Sequence, residues 1–236
     1  MTADGEKRAA AEAAARLVQD GMIVGLGTGS TAAHFLDCLG ERMQRDRLRI
    51  EGVPTSEKTA QHARRLGIPL LPWEKDVVID YAADGADEVD PQARLIKGLG
   101  GALLREKKVA KSSRDFAVMI DASKLVPRLG TKAPVPVEVQ AKLAAGIRKA
   151  LESLGARPIL RESGGQPFFT DNGNWILDAW FEEISNPERL EEEINAIEGV
   201  LENGIFVGLT HRVFVGEAGG AREWKIPAQS LRAPGT

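Results

Sequence analysis

Short apolar runs that each give way to a turn and then to a helix-patterned stretch recur through the first half of the chain. No other feature restricts the possible folds as much. The runs at 22–24, 48–53, 68–71, 77–81 and 116–120 are too short for helices and rich in Val, Ile and Leu, so they read as buried strands. Between them, residues 31–39, 56–66 and 103–111 carry apolar positions at helical spacing, the first stopped at Gly40. An Ala-rich helix over 7–18, ended by Asp20 and Gly21, comes before the first run. Strands alternating with helices imply an α/β fold, a doubly wound parallel sheet of Rossmann-like type.

The pattern changes after Gly130, where Pro134 and Pro136 interrupt the chain, and a domain boundary is expected there. Strand patterns at 135–139, 157–161, 174–180 and 200–207, with helices at 142–154 and 187–197, give the β-α-β-β-α-β order of a smaller, ferredoxin-like α+β domain. The expected division is 1–130 with 208–236 for the larger domain and 131–207 for the smaller, which is assigned to assembly because the candidate catalytic residues all precede Gly130. Residues 210–216 are expected to return one strand to the first sheet. The stretch from 217 onward lacks periodicity and is expected to be mobile.

Composition narrows the function. A formal charge of −3 from well-mixed acids and bases offers no basic face to nucleic acid or to an anionic membrane, which leaves a small molecule as the expected partner. Cys38 is the only cysteine, which excludes an internal disulfide, suits a reducing cytoplasmic setting and reads as a buried helix residue. Residues 1–16 lack the apolar core of a secretory signal, and no apolar stretch approaches the roughly 20 residues needed to cross a bilayer. His34, His62 and His211 are scattered without metal-ligand spacing, so no metal site is expected.

Three loops carry the chemistry. The first, Gly25-Leu-Gly-Thr-Gly-Ser-Thr31, is a strand-to-helix turn in which the helix start and the hydroxyls of Thr28, Ser30 and Thr31, around Gly29, suit a phosphate. The same residues satisfy a dinucleotide fingerprint through Gly27, Gly29 and Ala32, with Glu51 as the ribose-binding acid, and also fit a plain capped turn. The second, Asp84-Gly85-Ala86-Asp87-Glu-Val-Asp90, crowds four acids at a strand end. Mutual repulsion would favour a carboxyl able to hold a proton, whereas a solvated Asp-Gly turn is the plain alternative and a calcium loop a weaker one. The third, Lys97-Gly98-Leu99-Gly100-Gly-Ala-Leu-Leu-Arg-Glu106-Lys107, runs from a glycine loop into a helix. There Leu103, Glu106 and Ala110 share a side, so Glu106 should be partly desolvated and basic, unless it pairs at the surface with Arg105, Lys107 or Lys108. Three such loops after successive strands of one parallel sheet are expected to meet in one crevice suited to proton transfer beside a carbonyl.

These blocks, together with Asp121-Ala-Ser-Lys124, Pro134-Val-Pro-Val-Glu-Val139 and Thr170-Asp-Asn-Gly-Asn174, resemble the A-type ribose-5-phosphate isomerases over about residues 7–208. The block from Lys97 to Lys107 is the most specific. Leu99 departs from the pattern, standing where some relatives have glycine. The resemblance implies isomerisation of ribose 5-phosphate to ribulose 5-phosphate through a cis-enediol, without a cofactor or metal, in a homodimer or larger homo-oligomer. It further implies that Glu106 is the base, that Lys97 and Asp84 act on the substrate oxygens with Asp87 nearby, and that Lys7, Lys124 and residues 28–31 hold the phosphate or orient the sugar. Gly85, Ala86, Gly98, Leu99 and Gly100 complete the implied substrate contacts. The competing readings are a sugar-phosphate sensor domain, a nicotinamide-dependent dehydrogenase and an amino-sugar phosphate deaminase. The sensor reading lacks a DNA-binding segment before Met22, the dehydrogenase leaves the lysine and aspartate blocks unexplained, and the deaminase would be expected to place a histidine in these motifs.

Overall fold

The computed structural model describes residues 2–73 and 76–227. The chain begins with α1 (Ala3–Ala15), β1 (Ile23–Leu26), α2 (Ser30–Arg45), β2 (Glu51–Pro54), α3 (Glu57–Arg65) and β3 (Tyr81–Asp84). A short hairpin, β4 (Glu88–Val89) and β5 (Leu95–Ile96), leads to α4 (Leu103–Lys111), β6 (Phe116–Asp121) and β7 (Val135–Val139). There follow α5 (Ala144–Ser153), β8 (Ala156–Leu160), the hairpin β9 (Glu162–Ser163) and β10 (Gln166–Pro167), and β11 (Trp175–Phe181). The chain continues through α6 (Pro187–Asn195), β12 (Val200–Asn203), β13 (Ile205–Phe206), β14 (Arg212–Glu217) and β15 (Gly220–Lys225). Two compact units result: one holds the residues up to Ala86, Arg105–Lys124 and those from Gly208, the other Asp87–Leu104 and Leu125–Val207. Among the described residues no helix is long and apolar enough to cross a membrane.

The first unit is built on a six-stranded sheet in the order β15-β14-β6-β3-β1-β2, parallel except for β15. Val24, Leu26, Tyr81 and Met119 face α1 and α2, whose Ala11, Ala14, Phe35 and Leu39 complete that core. On the other face Gly25 meets Ala82 and Val109 of α4, so closely that a Cβ on Gly25 would lie 2.5 Å from the Ala82 Cβ. Only small residues fit at that crossing. The strand expected over 77–81 instead begins at Tyr81 and runs through two alanines to Asp84, because Val78 is 58% exposed and Ile79 makes only an isolated bridge to Ser113. Three other expectations are corrected. Helix α2 passes through Gly40, which lets Leu66 approach to 3.0 Å of a would-be Cβ, and does not stop there. The run at 68–71 contributes a single bridge, Leu70 to Gly52. The supposedly mobile stretch after 217 pairs as β15 along β14, because edge pairing needs backbone groups and no apolar periodicity; residues 228–236 lie outside the described residues. Cys38 is buried in α2, and burial pushes its thiol up to about 11, which keeps it protonated and unreactive near neutrality.

The second unit carries an antiparallel sheet in the order β12-β7-β11-β8, the 4-1-3-2 arrangement of a ferredoxin-like fold. Val135, Val137, Leu177 and Ala179 form its inner face and pack with Ile147 and Leu151 of α5 and Ile194 of α6. A three-stranded sheet, β13-β5-β4, completes the unit. The domain boundary expected at Gly130 is therefore moved: residues 87–104 and 125–130 group with 131–207. The cause is local. Ile96 and Leu95 pair with Ile205 and Phe206, far along the chain, and the Glu88 carboxylate, fully buried, accepts the backbone N–H groups of Gly130 (2.6 Å), Ala133 (2.8 Å) and Lys132. Two-residue strands and a buried acid leave no periodic trace in a sequence. Glu88→Ala leaves a buried cavity and strips one buried and two part-buried backbone donors of their acceptor, so it should lower unfolding free energy by about 3 kcal/mol, with a smaller loss for Glu88→Gln; urea titration of the variants checks this.

Candidate active site

Parallel pairing brings the carboxyl ends of β1, β3 and β6 to one edge, with Leu26 opposite Ala83 and Asp84 opposite Val118. Asp84 is buried at 3% exposure, and its Oδ1 accepts the N–H groups of Thr28 (2.9 Å) and Gly85 (2.7 Å). Gly27 makes that approach possible, since a Cβ there would fall 2.2 Å from the same oxygen. The glycine turn is thus shaped around a carboxylate. Beyond it Gly29 adopts φ 109° and Ser30 opens α2, a helix of 16 residues whose first N–H groups have no acceptor within the helix. Ser30 is exposed and accepts a hydrogen bond from the Lys7 ammonium at 3.1 Å, while Thr31 is buried beside Gly85. Lys124 ends the short helical turn that follows β6, at the same sheet edge.

Thr28 plays a different part from the one its position suggests. Its N–H serves Asp84, and its hydroxyl turns toward the hydroxyls of Thr55 (2.7 Å), Ser56 (2.9 Å) and Thr59 (3.2 Å). Thr55 and Thr59 in turn donate to the carbonyls of Leu26 and Gly27. Thr55, Ser56 and Thr59, which sequence reasoning did not single out, support the glycine turn from beneath. Their signal was three hydroxyls in five positions directly after β2. Helix α4 is anchored to this cluster: Arg105 pairs with Glu57, the residue after Ser56, at 2.9 Å and lies over the Trp73 ring at 4.7 Å. The next residue, Glu106, is 5% exposed in the first turn of α4, with Leu103 and Ala110 buried on its side as the spacing required.

The other expected residues, Ala86 excepted, belong to the second unit. Lys97 follows β5, is 2% exposed, donates its N–H to Gly204 O at 2.9 Å and holds its ammonium 5.6 Å from the Phe206 ring centre. Leu99 donates its N–H to the Asp87 carboxylate at 3.0 Å, which ties Asp87 to the Gly98–Gly100 loop. Leu99 and Gly100 are exposed, and Ala86 is half-buried at the end of its segment. Two expectations change here. The third loop follows a two-residue strand of an antiparallel hairpin, not a strand of the parallel sheet, so candidate catalytic residues occur in both units. The four acids from Asp84 to Asp90 also do not form one repelling cluster. Glu88 is held as described, and Asp90 pairs with Arg94 at 2.6 Å and accepts the N–H groups of Gln92 and Arg94.

The family model of ribose 5-phosphate isomerase A (phosphoriboisomerase A) matches residues 51–220. A ribose-5-phosphate isomerase A of Synechococcus sp. (strain JA-3-3Ab) is 48% identical over 221 residues, 92% of this chain and 96% of that protein. That of Roseiflexus castenholzii is 48% identical over 228 residues, 96% of this chain and 97% of its own length. The chain belongs to the ribose 5-phosphate isomerase A family. Solved structures agree. The enzyme of Methanocaldococcus jannaschii, 41% identical, superposes with a TM-score of 0.90 over 95% of this chain and 100% of its own. A D-ribose-5-phosphate isomerase in complex with phospho-erythronic acid, also 41% identical, gives 0.92 over the same shares.

The geometry does not support the dinucleotide reading of the glycine turn. Glu51 stands at the amino end of β2, opposite Ile23, on the wrong edge of the sheet for a ribose-binding acid. Gly27→Ala should displace Asp84 and release the Thr28 and Gly85 N–H groups. A displacement on this scale lowers isomerase kcat/KM by about 10² while the chain still folds, as steady-state kinetics with circular dichroism would show.

Proposed function

We propose that this chain interconverts D-ribose 5-phosphate and D-ribulose 5-phosphate through a cis-enediol, with Glu106 as the base. The observation that carries the reading is a carboxylate with 5% exposure in the first turn of α4, in a chain nearly half identical to proteins of that name. Taking a proton from the carbon beside a carbonyl is slow, because the carbon acid is weak. The base must be close, aimed and shielded from water. The Arg105–Glu57 pair and the buried Leu103 hold that first turn, and little water reaches the glutamate. In this reading Glu106 carries the proton between C2 and C1. The Lys97 ammonium and Asp84 serve the oxygens on which negative charge develops and assist ring opening, with Asp87, Gly85, Ala86 and the Gly98–Gly100 loop as further contacts. The phosphate lies at Gly29–Thr31 with Lys7 and Lys124, and Thr28 shapes that turn from beneath.

We further read the protein as a cytoplasmic enzyme of the non-oxidative pentose phosphate pathway that works without a cofactor as a homodimer or larger homo-oligomer. Ile159 and Phe169, 43% and 58% exposed, offer apolar surface for such an assembly. Turnover of ribose 5-phosphate with a chelator present and no nucleotide added is the direct test. Glu106→Gln keeps the shape and removes the basic oxygen, so kcat should fall by about 10²–10⁴ with KM little changed. Solvent deuterium entering C2 should fall in parallel. Near-normal turnover and exchange in the glutamine variant would pass the role of base to Asp84 or Asp87.

A further inference from the structure

We propose that Arg161 is a positioning residue that aims the Gly98–Gly100 loop, and that the Arg161–Asp178 pair exists for this purpose. The inference rests on the proposed isomerase reading, in which that loop contacts the sugar. Arg161 follows β8, and Asp178 lies in the middle of β11. Their side chains are 13% and 17% exposed, and the pair is two-pronged: Nε donates to Asp178 Oδ2 at 2.9 Å and Nη2 to Oδ1. A planar guanidinium held along one edge by a carboxylate has its remaining donors fixed in direction. Here Nη1 donates to two successive backbone carbonyls, Gly98 O at 2.9 Å and Leu99 O at 3.0 Å.

The two carbonyls flank Leu99, whose φ is not left-handed, within a turn in which the Gly101 N–H also donates to Gly98 O at 3.0 Å; Gly98, at φ 102°, sets how the chain enters that turn from Lys97. In a trans peptide the N–H points opposite to the C=O. Pulling the carbonyls of Gly98 and Leu99 toward Arg161 therefore turns the N–H groups of Leu99 and Gly100 the other way. The Leu99 N–H meets the Asp87 carboxylate at 3.0 Å, so Arg161 sets the position of Asp87 as well. Phe168 closes the far end of the loop. Its ring lies 5.9 Å from the Arg161 guanidinium, and a Cβ on Gly101 would come within 2.6 Å of it. One residue remote in sequence thus determines which way the donors of the lysine-glycine block point.

The test is steady-state kinetics of Arg161→Gln on ribose 5-phosphate, with inhibition by inorganic phosphate and thermal midpoints measured alongside. We expect kcat to fall by about tenfold or more, because misaimed donors weaken contacts that matter most as charge develops. The inhibition constant for phosphate should stay within about twofold, since the proposed phosphate turn uses other residues. Arg161→Lys, which keeps a cation but not the fork, should recover part of the loss. Added guanidinium should likewise raise the turnover of Arg161→Ala. A general structural defect would produce neither recovery. If Arg161→Gln does not fold, Arg161→Lys and Asp178→Asn are read in the same way. A folded variant with unaltered kcat, or one weakened equally toward phosphate and sugar, would overturn the clamp and leave the isomerase reading intact. An unaltered protein that fails to turn over ribose 5-phosphate would remove both.

Discussion

The Asp84 carboxylate is the constraint around which the first unit's site is organised. It sits at the end of a strand that alanines make narrow, and one of its oxygens binds the N–H of Thr28 across the sheet edge and that of Gly85 beside it. A charged acceptor satisfied by backbone donors is stronger than a neutral one, and burial makes its loss more costly. The glycine at position 27 has its meaning here: it leaves room for the carboxylate. The contact ties the turn to β3 just before Gly29, at φ 109°, leads the chain into α2.

A second layer supports the first. The hydroxyls of Thr28, Thr55, Ser56 and Thr59 form a closed set, anchored to the carbonyls of Leu26 and Gly27. Hydroxyls both donate and accept, so such a cluster can satisfy itself in the interior without a charge. Ser56 also caps α3 by accepting the Thr59 N–H, and Glu57 beside it reaches Arg105. The same short segment therefore fixes the floor of the glycine turn and the entry of the helix that carries Glu106. The second unit solves a like problem with a buried acid and a half-buried arginine. Glu88 gathers three N–H groups, and Arg161 gathers two carbonyls. Each imposes on irregular backbone an order that a regular ladder would otherwise provide.

Much of this was legible in the sequence. Helix 103–111 and strand 135–139 are found where the spacing puts them, and the β-α-β-β-α-β order of the second unit follows from periodicity and Pro/Gly punctuation. Alternating strands and helices implied a parallel sheet, and the apolar side of α4 favoured burial of Glu106 over a surface pairing with Arg105, Lys107 or Lys108. These are local properties, carried by side chains only three or four positions apart.

Tertiary structure decided what depends on partners distant in the chain. The strand before Asp84 was set by its pairing with β1 and β6, and strand β15 by the open edge of β14. The Lys97 loop joined the second unit because β5 pairs with β13, more than a hundred residues later. Thr55, Ser56, Thr59 and Arg161 gained their roles only through hydrogen bonds to residues 27 to 63 positions away. A sequence states which groups can donate, accept or hide from water. Which donor finds which acceptor is decided when folding brings them within about 3 Å, and that distance is written nowhere along the chain.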